Sequence, residues 1–554
     1  MNLKNKLSME IAKLTSLDSN RVLNLLEVPP NPDLGDFAFP CFILAKELKK
    51  APAQIAVDLA ENLSADFIES ASAAGPYLNI KIKKDSFAKE ILEYGLKFDS
   101  TGKTIMIEFS QPNTHKEFHV GHLRNASIGD SLVRIFKFVG NKVVAANYIG
   151  DIGTHVAKTL WCLNKFYSKE KIPENKGKFL GGIYVDASKK LEANEEYKEE
   201  VSKVLQNLEA REKEITSLWE KTRKWSLDEF KNIYKDLDIN FDKYYFESEE
   251  DGPSKKIAYE LLEKGIAEKS EGAIIVNLEK QGGAIALVVK SDGTTLYLTK
   301  DLSLGQRKFS DYPLDTSVYV IDSRQSLHMK QAFEILKLMG FEKDMVHVSY
   351  EFVSTTNGPI SSRKGNTYLY EDLKERMMKK LISETKKRHD NWKDSKIKDV
   401  AHKISIAALK FGMLKMDNNK EIVFDENEWL DFEGETGPYV QYTYCRLNSV
   451  VKKAGKQTKK PDYSLLNTIE DNILLKLIAK EKDVISEAAK SYKPSLVARY
   501  VLELAQKTNE YYHKHQILKS DDKIKTTRLK LFEKISEVIK RDLLILGIEC
   551  PQEM

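Results

Sequence analysis

Apolar and polar positions alternate through GPYLNIKI (75–82), which predicts a strand with one buried face. Upstream, 43–63 carries helical apolar spacing interrupted near Pro52, and the preceding PPNPDLGDFAFPCF (29–42) is turn-rich and then aromatic. Residues 1–97 read as a small α+β domain, ending where polar and turn-forming residues cluster at 97–102. Next come a strand, TIMIEF (104–109), and apolar residues at helical spacing: Ile128, Leu132, Ile135, Phe136 and Val139. Gly140-Asn141 stops that helix, and KVVAANYI (142–149) is a second strand. Strand, helix and strand within 46 residues predict a right-handed parallel crossover. Residues 165–270 are mostly charged and helical in pattern. GAIIVNL (272–278), AIALVVK (284–290), TTLYLTK (294–300) and SVYVIDS (317–323) then read as strands, expected to share one sheet with the first crossover.

From about Val400 the spacing is helical. Ile404, Ala408 and Phe411 begin it. Ile473, Leu474, Leu477 and Ile478 follow, then Val497, Val501 and Leu504, then Leu529, Phe532, Ile535 and Ile539. The lysine-rich KKAGKQTKKPD (452–462) is a loop. The expected fold is α/β: a doubly wound parallel-sheet domain with insertions at 98–399, preceded by the small α+β domain at 1–97 and followed by an all-α helical bundle at 400–554.

Composition narrows the class. The 554 residues are enough for three or four domains, and 42% hydrophobic with 31% charged residues is ordinary for a soluble globular protein. A net charge of +4 excludes a histone-like polycation. Charge is uneven, however: 436–554 holds 22 basic and 15 acidic residues, so the rest of the chain is slightly acidic. A basic helical end on an acidic body points to a polyanion partner. Cys41, Cys162, Cys445 and Cys550 form no Cys-x-x-Cys pair, which argues against a disulfide framework and a zinc ribbon. No apolar run approaches the ~18 residues of a membrane helix, and the first residues lack the apolar core of a secretory signal. A multidomain protein of a reducing compartment is expected.

The chemistry concentrates in PNTHKEFHVGH (112–122), between the first strand and its helix. In a doubly wound fold that turn is where ligands bind. His119 and His122 stand at a helix N-terminus, where free N–H groups and the dipole favour phosphate, and Gly121 lets a bulky group approach the backbone. A His-x-x-His metal site with His115 as third ligand is the competing reading, but no acidic residue stands at matching helical spacing.

His-Val-Gly-His after Pro112-Asn113 resembles the signature of class I aminoacyl-tRNA synthetases. EFSQPNTHKEFHVGHLRNASIGDSLVRI is similar to the arginyl-tRNA synthetase family in particular. The likeness continues through YIGDIGTHVAK, TTLYLTKDL, YVIDSRQSLHMKQ, SSRKGN, ETGPYVQYTYCRL and LGIECPQEM, an ordered set over more than 400 residues. Aligned on Gly365-Asn366, the second class I loop has Pro359 and Ser362 where its lysines usually stand, with Arg363 and Lys364 offset. Many arginyl enzymes carry instead a lysine before the histidine turn, the position of Lys116.

The resemblance implies a Rossmann-like catalytic domain at 98–399, an N-terminal tRNA-binding domain at 1–97 and an anticodon-binding bundle at 400–554. It implies phosphate chemistry at Lys116, His119, His122, Arg363 and Lys364, and ATP contacts at Pro112, His119, Gly121, His122, Gly365 and Asn366. It places Tyr297 and Asp301 in the arginine side-chain pocket; their i, i+4 spacing puts both on one face if a helix begins there. Glu108 is a second carboxylate candidate for the guanidinium. Asn113, His122 and Gln325 map to positions that hold the α-amino and carboxylate groups. Tyr439, Tyr442, Tyr444, Tyr511 and Tyr512 are candidates for stacking on tRNA bases. The implied reaction is ATP-dependent charging of tRNA(Arg) with L-arginine, with Mg²⁺ accompanying ATP as substrate, no structural metal, and activation that requires tRNA. A cytoplasmic monomer with neither DNA nor membrane as partner is expected. Two other classes compete: a small-molecule nucleotidyltransferase, which has no use for the basic helical end, and a catalytically silent tRNA-binding relative, at odds with the intact His119, Gly121, His122 and Asp301.

Overall fold

The computed structural model describes residues 2–29, 31, 34–355, 358–359 and 368–554. They fall into two compact units: Met1–Lys97 with Thr443–Lys482 and Glu503–Ile539, and Phe98–Tyr442 with Asp483–Leu502 and Lys540–Met554. In the first, strands β1 (Phe37–Pro40), β2 (Ile68–Ala74) and β3 (Tyr77–Ile82) form an antiparallel sheet in the order β1-β3-β2. The alternating segment is β3; its Leu78, Ile80 and Ile82 are buried in one core with Leu7, Ile11, Ile55 and Leu59. Pro52 interrupts the helical spacing because it opens a new helix, Pro52–Asn62, where its missing N–H costs nothing. Within this unit the Tyr463 hydroxyl donates to Glu93 (3.0 Å) and the Lys534 ammonium to the Tyr94 carbonyl (3.0 Å).

The second unit is built on strands β4 (Thr104–Glu108), β5 (Lys142–Ile149) and β6 (Lys243–Phe246). Strands β7 (Glu268–Ser270), β8 (Ala273–Val276) and β9 (Ala286–Val289) follow, and then β10 (Thr316–Asp322) and β11 (Asp344–Tyr350). A five-stranded parallel sheet runs in the order β11-β10-β4-β5-β6. The chain moves outward from β4 on one side, then returns to build β10 and β11 on the other. Its reversal point lies between β4 and β10, where Glu108 is paired with Tyr319. Ligands of open parallel sheets bind at the carboxyl edge of such a point. The helix joining β4 to β5 runs Val120–Phe138 and buries Ile128, Leu132, Ile135 and Phe136 as its spacing predicts.

Three of the four later strand expectations are corrected. β8 and β9 lie within the expected segments but join β7 in a separate antiparallel sheet, and TTLYLTK is the start of the helix Tyr297–Asp311. Leu298 and Leu302, one helical turn apart, bury in the core formed by Val276 and Val288. Within the segment itself Leu296 and Leu298 alternate as in a strand, and Leu302, which completes the helical spacing, lies beyond it. Only SVYVIDS joins the parallel sheet, as β10. β6 and β11 have no counterpart in the periodicity reading; β6 is just four residues long. Strands β12 (Val353–Thr355), β13 (Gly358–Pro359) and β14 (Ile422–Phe424) make one further small sheet. No helix among the described residues is long and apolar enough to cross a membrane.

Two buried contacts set the helix Val120–Phe138 in place. Arg124 is fully buried, and its guanidinium donates to the carbonyls of Glu351 (2.5 Å), Asp417 (3.2 Å) and Lys420 (2.8 Å), with longer bonds to Phe352 and Asn418. Gly129 lies against the buried ring of Phe109, so close that a Cβ there would come within 2.1 Å of the ring. Gly129→Ala must push the helix off β4 or displace Phe109. It is expected to destabilise the protein by about 1–3 kcal/mol, read as a lower urea midpoint with an unchanged slope.

Candidate active site

The turn from β4 to its helix is held in an uncommon backbone path. Ser110 (φ 76°), Gln111 (φ 40°) and His115 (φ 64°) all adopt positive φ without being glycine. Strain of this kind persists only where surroundings over-determine it. Asn125 supplies much of that: its side-chain oxygen accepts from the Ser110 N–H (2.5 Å), and its amide donates to Gln111 (3.0 Å), Val320 (2.9 Å) and Tyr350 (3.1 Å). The stretch then couples to the end of β5. Gly150 donates to the buried Pro112's carbonyl (3.2 Å), Thr114 donates to the Gly150 carbonyl (2.9 Å), and Asn113 Oδ1 rests against the Gly150 backbone, which a Cβ would meet at 2.3 Å. His115 is wholly buried, its Nδ1 against Thr114 (3.0 Å) and its Nε2 against Thr222 (2.8 Å).

His119 caps the helix. Its Nδ1 accepts from the Gly121 N–H (3.1 Å), while His122 Nδ1 accepts from the His119 N–H (3.1 Å). The two rings stack with centroids 3.8 Å apart. With both Nδ1 atoms accepting, each Nε2 carries the hydrogen of a neutral imidazole. Burial first, then Lys116, pulls His119 down to about 4; burial, His119 and Lys116 hold His122 well below its ordinary value. The site therefore offers two neutral N–H donors at a helix N-terminus, with the Lys116 cation close by over the Tyr184 ring (5.4 Å).

The far side of the carboxyl edge is acidic. Tyr297 opens the helix Tyr297–Asp311 and is 60% exposed, and Asp301 follows one turn on. Asp301 Oδ2 meets His328 Nε2 at 2.5 Å, whereas Oδ1 has no hydrogen-bond partner among the described residues. Glu247, directly after β6, is buried and bonded to Lys300 (3.0 Å); burial lifts its carboxyl to about 7 against the opposing pull of Lys300. The Tyr148 hydroxyl is buried with no partner among the described residues; burial, then Asp301, Glu247, Glu108 and Glu250, pushes it far up. Glu108 is engaged internally, with Lys308 at 2.5 Å and Gln111 at 3.1 Å, so its charge is already neutralised. Gln325 is exposed just past β10. Glu247 escaped the motif reading; its only signal is position at a strand's end, which becomes meaningful once β6 is recognised as a strand. Tyr148 lies in the expected second strand and in YIGDIGTHVAK, but the sequence reading gave it no role.

Arg363, Lys364, Gly365 and Asn366 lie outside the described residues. The residues that follow them pair with the histidine turn: Val120 donates to the Tyr368 carbonyl and Tyr370 to the Phe118 carbonyl, both at 3.0 Å. Tyr439 and Tyr442 are half-buried in one compact unit; Tyr511 and Tyr512 belong to the other. Tyr444 is buried, and so is Tyr511, whose hydroxyl donates to Asp471 (2.7 Å). The Tyr444 and Tyr511 rings are core rather than open stacking faces.

A parallel sheet whose reversal point carries a neutral histidine pair, approached by the segment after a second signature loop, is the catalytic core of a class I synthetase. Residues 89–426 match the family model for the class I (R) tRNA synthetase catalytic domain, 440–554 that for the DALR anticodon binding domain, and 1–82 that for the arginyl tRNA synthetase N terminal domain. The arginine–tRNA ligase of Bdellovibrio bacteriovorus is 39% identical over 97% of this chain and 96% of that one. The Halothermothrix orenii enzyme of the same name is 38% identical over 98% of each. The solved Thermus thermophilus arginyl-tRNA synthetase superposes with a TM-score of 0.82 at 26% identity, each chain covered completely. The chain belongs to the arginyl-tRNA synthetase family.

Neutral histidines make a pH prediction. The folded His119 takes up its proton near 4 and the unfolded one near 6.5, so between those values the unfolded state binds more protons. The stability contributed by His119 should be level above pH 6.5 and fall as pH drops toward 4. His119→Asn should make that fall shallower in urea unfolding measured across pH. Nitrogen-15 imidazole shifts should show the Nε2–H tautomer at neutral pH.

Proposed function

We propose that this chain charges tRNA(Arg) with L-arginine as a cytoplasmic monomer. The arginine carboxylate attacks the α-phosphate of ATP, supplied with Mg²⁺ as substrate, giving arginyl-adenylate and pyrophosphate. The 2′-OH of the tRNA's terminal adenosine then attacks the activated carbonyl. Positioning and charge neutralisation supply the rate. His119 and His122 donate to phosphate oxygens through Nε2, and Lys116 supplies the charge that Ser362 cannot. Pro112 and Gly121 shape the ATP contact, with Gly365, Asn366, Arg363 and Lys364 from the second loop. Asn113 and Gln325 hold the amino acid's main-chain groups, while Tyr297, Asp301 and Glu247 receive its guanidinium. The observation carrying this reading is the pairing of two neutral imidazole N–H donors at the histidine turn with an Asp301 whose Oδ1 is open among the described residues. The division into 1–97 for tRNA docking, 98–399 for catalysis and 400–554 for the anticodon belongs to the same proposal, with Tyr439, Tyr442 and Tyr512 as base-stacking candidates.

Charging assays across tRNA species test the reading: arginine and its tRNA should be the productive pair. Arginine-dependent pyrophosphate–ATP exchange should be negligible without tRNA and robust with it. Equal exchange in both conditions would refute tRNA-dependent activation.

Asp301→Asn keeps the shape and removes the charge opposite the guanidinium. Breaking one side of a desolvated ion pair costs about 3–5 kcal/mol. The expected loss in kcat/KM for arginine is therefore roughly 10²–10³-fold or more, with citrulline no longer disfavoured relative to arginine. Steady-state charging of both substrates by both enzymes checks this; full arginine activity in the variant would leave Glu247 as the guanidinium's partner.

A further inference from the structure

The loop after β5, GDIGTH (150–155), lies within the quoted YIGDIGTHVAK and supplies a site group to which the resemblance assigned no role. Gly153 has φ +112°, a conformation that favours glycine, and so leaves a gap between two side chains. A Cβ built there would stand 3.7 Å from His155 Nδ1 and 3.9 Å from the Tyr297 hydroxyl. His155 lies in the first turn of the helix Thr154–Phe166 and is only 9% exposed. Its Nε2 meets the Gly150 carbonyl at 3.3 Å. A carbonyl only accepts, so Nε2 bears the hydrogen and Nδ1 is a bare lone pair. That nitrogen has no hydrogen-bond partner among the described residues. Burial first, then the charge of Lys116, keeps the ring unprotonated against the opposing pull of the Gly150 carbonyl. Asn113 Oδ1 rests against the same Gly150.

A substrate in this site is constrained at both ends. Its carboxylate must reach the α-phosphate at the histidine turn, and its guanidinium must reach Asp301. The carbon bearing the ammonium then lies between them, where His155 and Gly153 face Tyr297. We propose that His155 Nδ1 is a substrate-positioning acceptor, taking one N–H of arginine's α-ammonium beside Asn113. This rests on the arginine-site reading above.

The test is calorimetric binding to the full-length protein of arginine and of 5-guanidinopentanoate, which is arginine without its α-amino group. His155→Phe should weaken arginine about tenfold, the scale of one charge-assisted hydrogen bond, and leave the analogue's affinity unchanged. His155→Asn, which returns an acceptor near the Nδ1 position, should recover most of the loss. Analogue binding by the Phe variant also reports that it is folded. Equal weakening of both ligands, or of neither, would overturn the assignment while the arginine site stands. Failure of the wild type to bind arginine would overturn the site reading and this proposal together.

Discussion

Arg124 stands at the start of the second turn of the helix Val120–Phe138, fully buried, and donates to main-chain carbonyls from two segments far away in sequence, 351–352 and 417–420. Among the described residues no carboxylate is hydrogen-bonded to it. A buried cation without its hydrogen bonds costs several kcal/mol, so the carbonyls must converge or the helix cannot sit there. Burial pulls the guanidinium down to about 10, which still leaves it charged at neutral pH. The arrangement ties the histidine turn to the strand that leads toward the second signature loop. The segment after that loop returns to pair with Phe118 and Val120. Segments 351–352, 368–370 and 417–420, distant in sequence from the histidine turn, are thereby held to one helix.

The same turn shows how charge is divided across the site. At the histidine turn the donors are neutral: both histidines spend Nδ1 on backbone amides and present Nε2–H. Positive charge there comes from Lys116, which itself helps keep the rings unprotonated. At the other end the groups are acidic, with one Asp301 oxygen open and Glu247 made costly to ionise by burial. A ligand anionic at one end and cationic at the other matches this polarity, and a free nucleotide alone matches only half of it.

What was legible in the chain follows the range of the interactions. The crossover from β4 through its helix to β5 is a local pattern, since apolar spacing reports which face of an element is covered. The histidine turn is local too, because capping is a contact over three residues. TTLYLTK misled because Leu296 and Leu298 alternate like a strand, while Leu302 and the core of Val276 and Val288 that select the helix lie outside the segment. β6 is too short to carry a period, so Glu247 could not be read as a residue at a strand's carboxyl end.

The amino-acid sequence by itself carried the family likeness in its ordered motifs, and the parallel α/β core, the histidine pair and the i, i+4 placement of Tyr297 and Asp301 in spacing along the chain. Only the tertiary structure decided which charges are available. Glu108 is spent on Lys308, which follows 200 residues later, and Tyr511 on Asp471, whereas Asp301 keeps an oxygen and His155 a lone pair. Whether a polar group is satisfied depends on partners brought together by packing, and spacing along the chain holds no record of them.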